Sequence, residues 1–118
     1  MGRKSQRKGA DGERELAAVL REYGYDIERG GSMCFGDKPD LSGLEGIHIE
    51  AKRCEQLRIS EWMDQATRDA QRFQDGAPVV FHRRNRQPWL VTMRLDSFME
   101  MYQRALLGGF GQRKGGKR

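Results

Sequence analysis

The sequence is poor in the features that staple a small fold or anchor it in a membrane. It has two cysteines, Cys34 and Cys54, and two histidines, His48 and His82, in 118 residues. No C-x-x-C or His-x-x-x-His pair occurs, so a structural zinc site is not expected. A disulfide cannot be read from sequence, and the reduced intracellular state is the default. No apolar run approaches the roughly 20 residues of a membrane span. The first residues are basic and polar with no hydrophobic stretch behind them, unlike a signal peptide. A cytoplasmic protein with no membrane partner is expected.

What is present suits one domain. Hydrophobic residues make up 36% and charged residues 33%, a polar but not a disordered composition. The net charge of +5 is unevenly placed. Arg3, Lys4, Arg7 and Lys8 crowd one end, and Arg113, Lys114, Lys117 and Arg118 the other. Setting those eight aside leaves 14 basic against 17 acidic residues, a body of net −3. Basic, Gly-rich ends on a mildly acidic body suit a polyanion. The expected organisation is a basic arm over residues 1–8, a domain over 9–107 and a basic Gly-rich tail over 108–118.

Helical periodicity predicts a first helix over Asp11–Tyr23, capped by Asp11 and ended by Gly24. A short strand over Tyr25–Arg29 and a glycine loop over Gly30–Gly36 follow. Strands are predicted at Asp40–Leu44 and Ile47–Lys52, turning at Glu45-Gly46. Trp62, Ala66, Ala70 and Phe73 make one face of a helix over Ser60–Gln74. Strands at Pro78–His82 and Trp89–Met93 flank the turn Arg83-Arg84-Asn85-Arg86, and a last helix covers Leu95–Leu107. Trp62 and Trp89 are expected in the core. The order αβββαββα predicts an α/β fold, a mixed central sheet flanked by helices.

Ile47-His48-Ile49-Glu50-Ala51-Lys52 alternates strictly. Strand geometry therefore sends Ile47, Ile49 and Ala51 to the core and His48, Glu50 and Lys52 to the other face. An exposed strand histidine is expected at His48 rather than a proton relay. If the two strands pair as a hairpin, Asp40 comes alongside Glu50. Neighbouring carboxylates repel unless neutralised, and Mg²⁺ takes one or two carboxylates with waters and phosphate oxygens. The carbonyl of Ala51 is a further candidate ligand, and Lys52 can offset developing phosphate charge. Glu13 falls on the apolar stripe of the first helix with Leu16, Ala17 and Leu20, whereas Glu15 falls opposite. A carboxylate on a buried stripe needs a cation or a basic partner.

That arrangement resembles the PD-(D/E)xK nuclease superfamily, and within it the archaeal-type Holliday junction resolvases of restriction-endonuclease-like fold. The resemblance covers about residues 8–93. It rests on Lys8-Gly9, Glu13-Arg14-Glu15-Leu16, Gly24-Tyr25, Arg29, Ser32, Pro39-Asp40, Glu50-Ala51-Lys52 and the Trp89 strand. It implies a catalytic set of Glu13, Asp40, Glu50 and Lys52. Mg²⁺, for which Mn²⁺ can substitute, would be held by Asp40, Glu50, the Ala51 carbonyl and, through water, Glu13. The implied activity is endonucleolytic cleavage of four-way DNA junctions by a homodimer making paired symmetric nicks. Alternatives of the same fold are a nicking or restriction-type nuclease and a non-catalytic DNA-binding module. The resemblance gives DNA contacts to Arg14 and Arg29. Lys8, Ser32, Arg53, Arg83, Arg84 and Arg86 are further candidates, and Phe35 could wedge against an unstacked base or anchor its loop. Gln65, Arg68 and Arg72 are either phosphate contacts or a solvated face. Leu95, Phe98, Met99, Tyr102 and Leu106 either form the dimer interface or cap the sheet.

Overall fold

The computed structural model describes residues 2–30 and 38–112, with side chains from residue 9 onward in the first helix. The chain runs α1 (Gly2–Glu22), β1 (Glu28–Arg29), β2 (Leu41–Ser42), β3 (Ile47–Arg53), α2 (Ile59–Phe73), β4 (Ala77–Arg83), β5 (Leu90–Met93) and α3 (Leu95–Leu107). The predicted order αβββαββα holds, and the architecture is an α/β fold compatible with a restriction-endonuclease-like domain. Ser32, Phe35 and most of the glycine loop lie outside the described residues, as do the basic tail 113–118 and the side chain of Lys8.

A mixed sheet of order β3-β4-β5 forms the centre. β3 and β4 run parallel, joined by α2, and β4 and β5 form an antiparallel hairpin across the basic turn. Pro78-Val79-Val80-Phe81 is nearly continuous in apolar residues because β4 is covered on both faces. Val79 and Phe81 join Leu16 and Ala17 of α1, Ile27, Leu41 and Ile49 in one cluster, while Val80 packs with Trp62 and Ala66 of α2 in another. Each large aliphatic side chain withdrawn from water here contributes about 1.5–3 kcal/mol. Trp62 is buried, and Trp89 packs against the α1 cluster.

Two expectations are corrected. The strand before Glu45 does not pair with β3: β2 pairs antiparallel with β1, Arg29 opposite Leu41, and β3 takes β4 as its ladder partner over seven residue pairs. β3 has β4 on one edge only and stays an edge strand of its sheet; β2 takes β1 as its partner instead. Gly43 helps seat β2 against the preceding segment: its φ is +132°, and a Cβ there would lie 2.5 Å from the carbonyl oxygen of Asp26. The second correction concerns α1, which begins at Gly2 and not at Asp11. Residues 2–8, expected as an arm, continue the helix, because lysine, arginine and glutamine are good helix formers. Asp11 is therefore no cap; its carboxylate accepts from Arg14 one turn on, at 2.7 Å.

Gly12 sets how α1 meets the sheet. A Cβ at this position would lie 2.7 Å from the Cβ of Arg53 on β3. A helix-interior glycine costs about 1 kcal/mol against alanine, and here it permits the close approach that carries the next residue, Glu13, toward β3. α3 behaves differently. Its bounds are as predicted, but none of its residues is buried, so it does not cap the sheet.

Candidate functional site

Strand alternation places His48, Glu50 and Lys52 on one face of β3, as expected. Glu50 is buried, with 7% of its surface exposed. Its two oxygens face different partners: Oε1 lies 3.2 Å from Nε2 of His48, and Oε2 lies 3.8 Å from Nζ of Lys52. Lys52 donates from Nζ to Oε1 of Gln65 on α2 at 2.8 Å. Gln65 thus orients the lysine, a role that neither a phosphate contact nor a solvated face describes.

Asp40, immediately before β2, and Glu50 line one cavity of about 160 Å³. Glu13 approaches from α1 to where the charges of Asp40 and Glu50 act on it. Burial is the chief reason that the Glu13 carboxyl is pushed up to about 7, and the charges of Asp40 and Glu50 push the same way; Arg29 opposes them. The Arg29 guanidinium lies 3.8 Å from Glu13 and its buried Nε finds no hydrogen-bond partner among the described residues. Glu13, Asp40, Glu50 and Lys52 therefore come together without the predicted hairpin. β1–β2 pairing and the α1 approach at Gly12 do the work the hairpin was expected to do.

His48 is not exposed. Only 2% of its surface reaches solvent. Its ring stacks on Phe73 at 6.4 Å between centroids, and its Nδ1 lies 3.0 and 3.1 Å from the two oxygens of Asp75. Burial by itself would lower the His48 pKa, but hydrogen bonds to Glu50 and Asp75 outweigh it and raise the value. The sequence carried a signal for this that was missed: a histidine two residues from a buried glutamate shares its face of the strand. Asp75, just after α2, could not be connected to it without knowing that β3 and β4 are parallel neighbours.

The expected DNA contacts divide. Arg84 and Arg86 are exposed in the β4–β5 turn, and Arg14 is exposed beside Asp11. Arg29 turns inward to Glu13. Arg53 and Arg83 sit opposite one another on β3 and β4, and both donate to Glu15, at 3.1 and 2.8 Å. Arg53 also donates to Asn85 and Arg83 to the carbonyl of Gln87. Two guanidiniums side by side repel unless a carboxylate lies between them, which is why Glu15, opposite the apolar stripe, still packs against the sheet. This bridge ties α1 to the strands that carry Glu50 and Lys52.

Three carboxylates close together beside a lysine suit a divalent cation, since Lys52 and Arg29 leave the cluster with a negative excess once all three ionise. Among the described residues no helix is long and apolar enough to cross a membrane. Residues 4–106 match the family model described as "Phage putative PDDEXK endonuclease". No curated protein matches the chain.

Proposed function

The chain belongs to this phage PDDEXK endonuclease family, and on that premise we propose that it hydrolyses DNA phosphodiesters at Glu13, Asp40, Glu50 and Lys52, with a four-way junction as its preferred substrate. The observation that carries the site assignment is the convergence of Glu13, Asp40 and Glu50 at a spot where burial and mutual repulsion push one of them up to about 7. Asp40, Glu50 and the Ala51 carbonyl would hold Mg²⁺, or Mn²⁺ in its place, with Glu13 acting through water. When bound, such an ion polarises a phosphoryl oxygen and makes a coordinated water a better nucleophile.

The chain's own groups supply the rest. Lys52, held by Gln65, directs its ammonium at the charge that develops on the phosphate. Glu50 keeps that ammonium close, and its burial keeps the pair in a medium where charge interactions are stronger than in water. Arg29 offsets part of the negative charge on Glu13. Exposed Arg14, Arg84 and Arg86 would meet phosphates further along the DNA, and the basic residues near both ends of the sequence would add to that attraction.

The junction preference rests on the sequence resemblance to the Holliday junction resolvases, which select their substrate by DNA shape. Paired nicks need two sites, and a twofold homodimer supplies them. The unburied α3, with Phe98, Met99 and Tyr102 exposed, is the candidate contact. Linear, flapped and four-way DNA cleaved side by side with Mg²⁺ at physiological salt is the direct test. Symmetric nicks near the crossover, strongly favoured over a matched duplex, are expected. Equal cleavage of duplex and junction would remove the junction preference and leave the nuclease assignment standing. A single 13.6 kDa species in sedimentation at micromolar concentration would remove the dimer.

A further inference from the structure

We propose a second cation site on the α2 side of β3, formed by His48, Glu50 and Asp69 and selective for a transition-metal ion over Mg²⁺. It shares Glu50 and one cavity with the proposed nuclease site, and differs from it in using His48 and Asp69. One donor atom from each of the three residues lies within 4.8 Å of the others. All three line the cavity that Asp40 also lines, and its wall carries Lys38 and Arg72 as well.

The histidine is built as a metal ligand. An ionised Asp75 can only accept, so it takes the Nδ1 proton of His48 and turns Nε2 toward Glu50. A carboxylate behind an imidazole fixes its tautomer and raises its basicity, the arrangement that supports metal-bound histidines. Phe73, stacked on the ring, holds it in plane. Nε2 and Oε1 of Glu50 are then 3.2 Å apart. Bonds of about 2.1 Å to a common metal, meeting between a right angle and the tetrahedral angle, put the donor atoms roughly 3.0–3.4 Å apart. A proton can also bridge Nε2 and Glu50, but it satisfies only those two atoms.

Asp69 is what a proton leaves over. It is half-buried on α2 and makes no hydrogen bond or ion pair among the described residues. It stands within 4.8 Å of the donor atoms of His48 and Glu50, while the cation paired with Glu50, Lys52, lies at that residue's other oxygen. A divalent cation answers all three groups once the Asp69 side chain closes from the present spread of up to 4.8 Å to within the roughly 4.2 Å that two bonds of about 2.1 Å can span. An imidazole in the set favours ions such as Co²⁺, Ni²⁺ or Zn²⁺, whereas Mg²⁺ prefers oxygen ligands. The other imidazole of the chain cannot substitute, because His82 is buried on β4 and bonded to Thr92 at 2.8 Å.

The test is calorimetric titration of the full chain with Co²⁺ and, separately, with Mg²⁺, without DNA. His48→Gln and Asp69→Asn should each weaken Co²⁺ binding by more than about tenfold and leave Mg²⁺ binding within about twofold. Asp75→Asn should cost about 10–100-fold in Co²⁺ affinity, the usual effect of losing the group behind a ligating histidine. Asp40→Asn should spare this Co²⁺ site. Asp69 is on a half-exposed helix surface, so its variant keeps the proposal falsifiable if His48→Gln does not fold. Unchanged Co²⁺ affinity in Asp69→Asn, or in a folded His48→Gln, overturns the site. DNA that stays intact with Mg²⁺ while these Co²⁺ effects appear would refute the nuclease reading and support this one.

Discussion

The carboxyl of Glu13 gives the most quantitative test of the cluster. In the unfolded chain it titrates near 4.5; in the fold it is pushed up to about 7, first by burial and then by Asp40 and Glu50. Between those two values the native state holds a proton that the unfolded state has lost. The native state binds more protons, so stability falls as pH rises through this window. The contribution is fully present below about 4.5 and fully lost above about 7. A displacement of that size corresponds to about 3 kcal/mol at roughly 1.36 kcal/mol per pH unit. With 22% of the side chain exposed, solvent screening trims that figure only in part. Against a usual total of about 5–15 kcal/mol the effect is readily measured.

The perturbation is Glu13→Gln, which keeps the shape and cannot ionise. Urea unfolding in EDTA at pH values from 4.5 to 8 should show the wild type losing about 3 kcal/mol more than the variant. His48 loses stability in the same direction as pH rises, since its pKa is also raised. It is present in both proteins, so the difference isolates Glu13. Because burial outweighs Asp40 among the causes of the Glu13 shift, Asp40→Asn should remove only part of the same slope. Mg²⁺ should flatten the wild-type slope by favouring the ionised form. Parallel pH profiles for wild type and Glu13→Gln would refute the idea that these carboxylates repel one another in the fold.

Asp40→Asn, Glu50→Gln and Lys52→Ala should each abolish DNA cleavage while leaving far-UV circular dichroism unchanged; full activity in any of them, or in EDTA, removes the assigned site. Ca²⁺ should support DNA binding with little cutting, as it holds its ligands more loosely than Mg²⁺. Overpacking against Arg53 should cost Gly12→Ala about 1–3 kcal/mol, offset by the roughly 1 kcal/mol of helix propensity that alanine regains, so a urea midpoint above that of the wild type would mean that α1 can shift freely. Deleting residues 1–7 should weaken DNA binding and reduce the log–log salt slope by roughly 0.9 for each phosphate no longer neutralised; an unchanged slope would make the basic end a solubilising segment only.

Much of this fold is written in local periodicity. α2 and α3 follow apolar spacings with little interference, and β3 is a strict alternation, so their positions and faces are legible directly. α1 was legible only in its apolar half, because residues 2–8 carry no apolar stripe and their helical state comes from propensity alone. Strand pairing was not legible. Asp40–Leu44 and Ile47–Lys52 have the spacing of a hairpin, yet β2 pairs with β1 while β3 takes β4 on one edge and stays an edge strand. The catalytic candidates were legible despite that error because the face of β3 is set by its own alternation, whichever strand lies beside it.

The same logic explains what stayed hidden. A residue's side of a strand follows from its neighbours in sequence, but the groups it meets there follow from topology. Gln65, Asp69 and Asp75 reach Lys52, Glu50 and His48 only because the β3–α2–β4 crossover lays α2 along that face of the sheet. Glu15 reaches Arg53 and Arg83 only because parallel pairing sets those two arginines side by side. β3 therefore brings two sets of groups to one cavity, which Asp40, His48, Glu50 and Asp69 all line. Around its edge, Glu13 and Asp40 bring carboxylates to Glu50, while α2 brings a glutamine to Lys52 and lays Asp69 beside His48, with Asp75 behind the ring. Glu50 is the one side chain common to both, with one oxygen toward His48 and the other toward Lys52. Its replacement should therefore disturb Mg²⁺ and Co²⁺ binding together, whereas Asp40→Asn and Asp69→Asn should separate them.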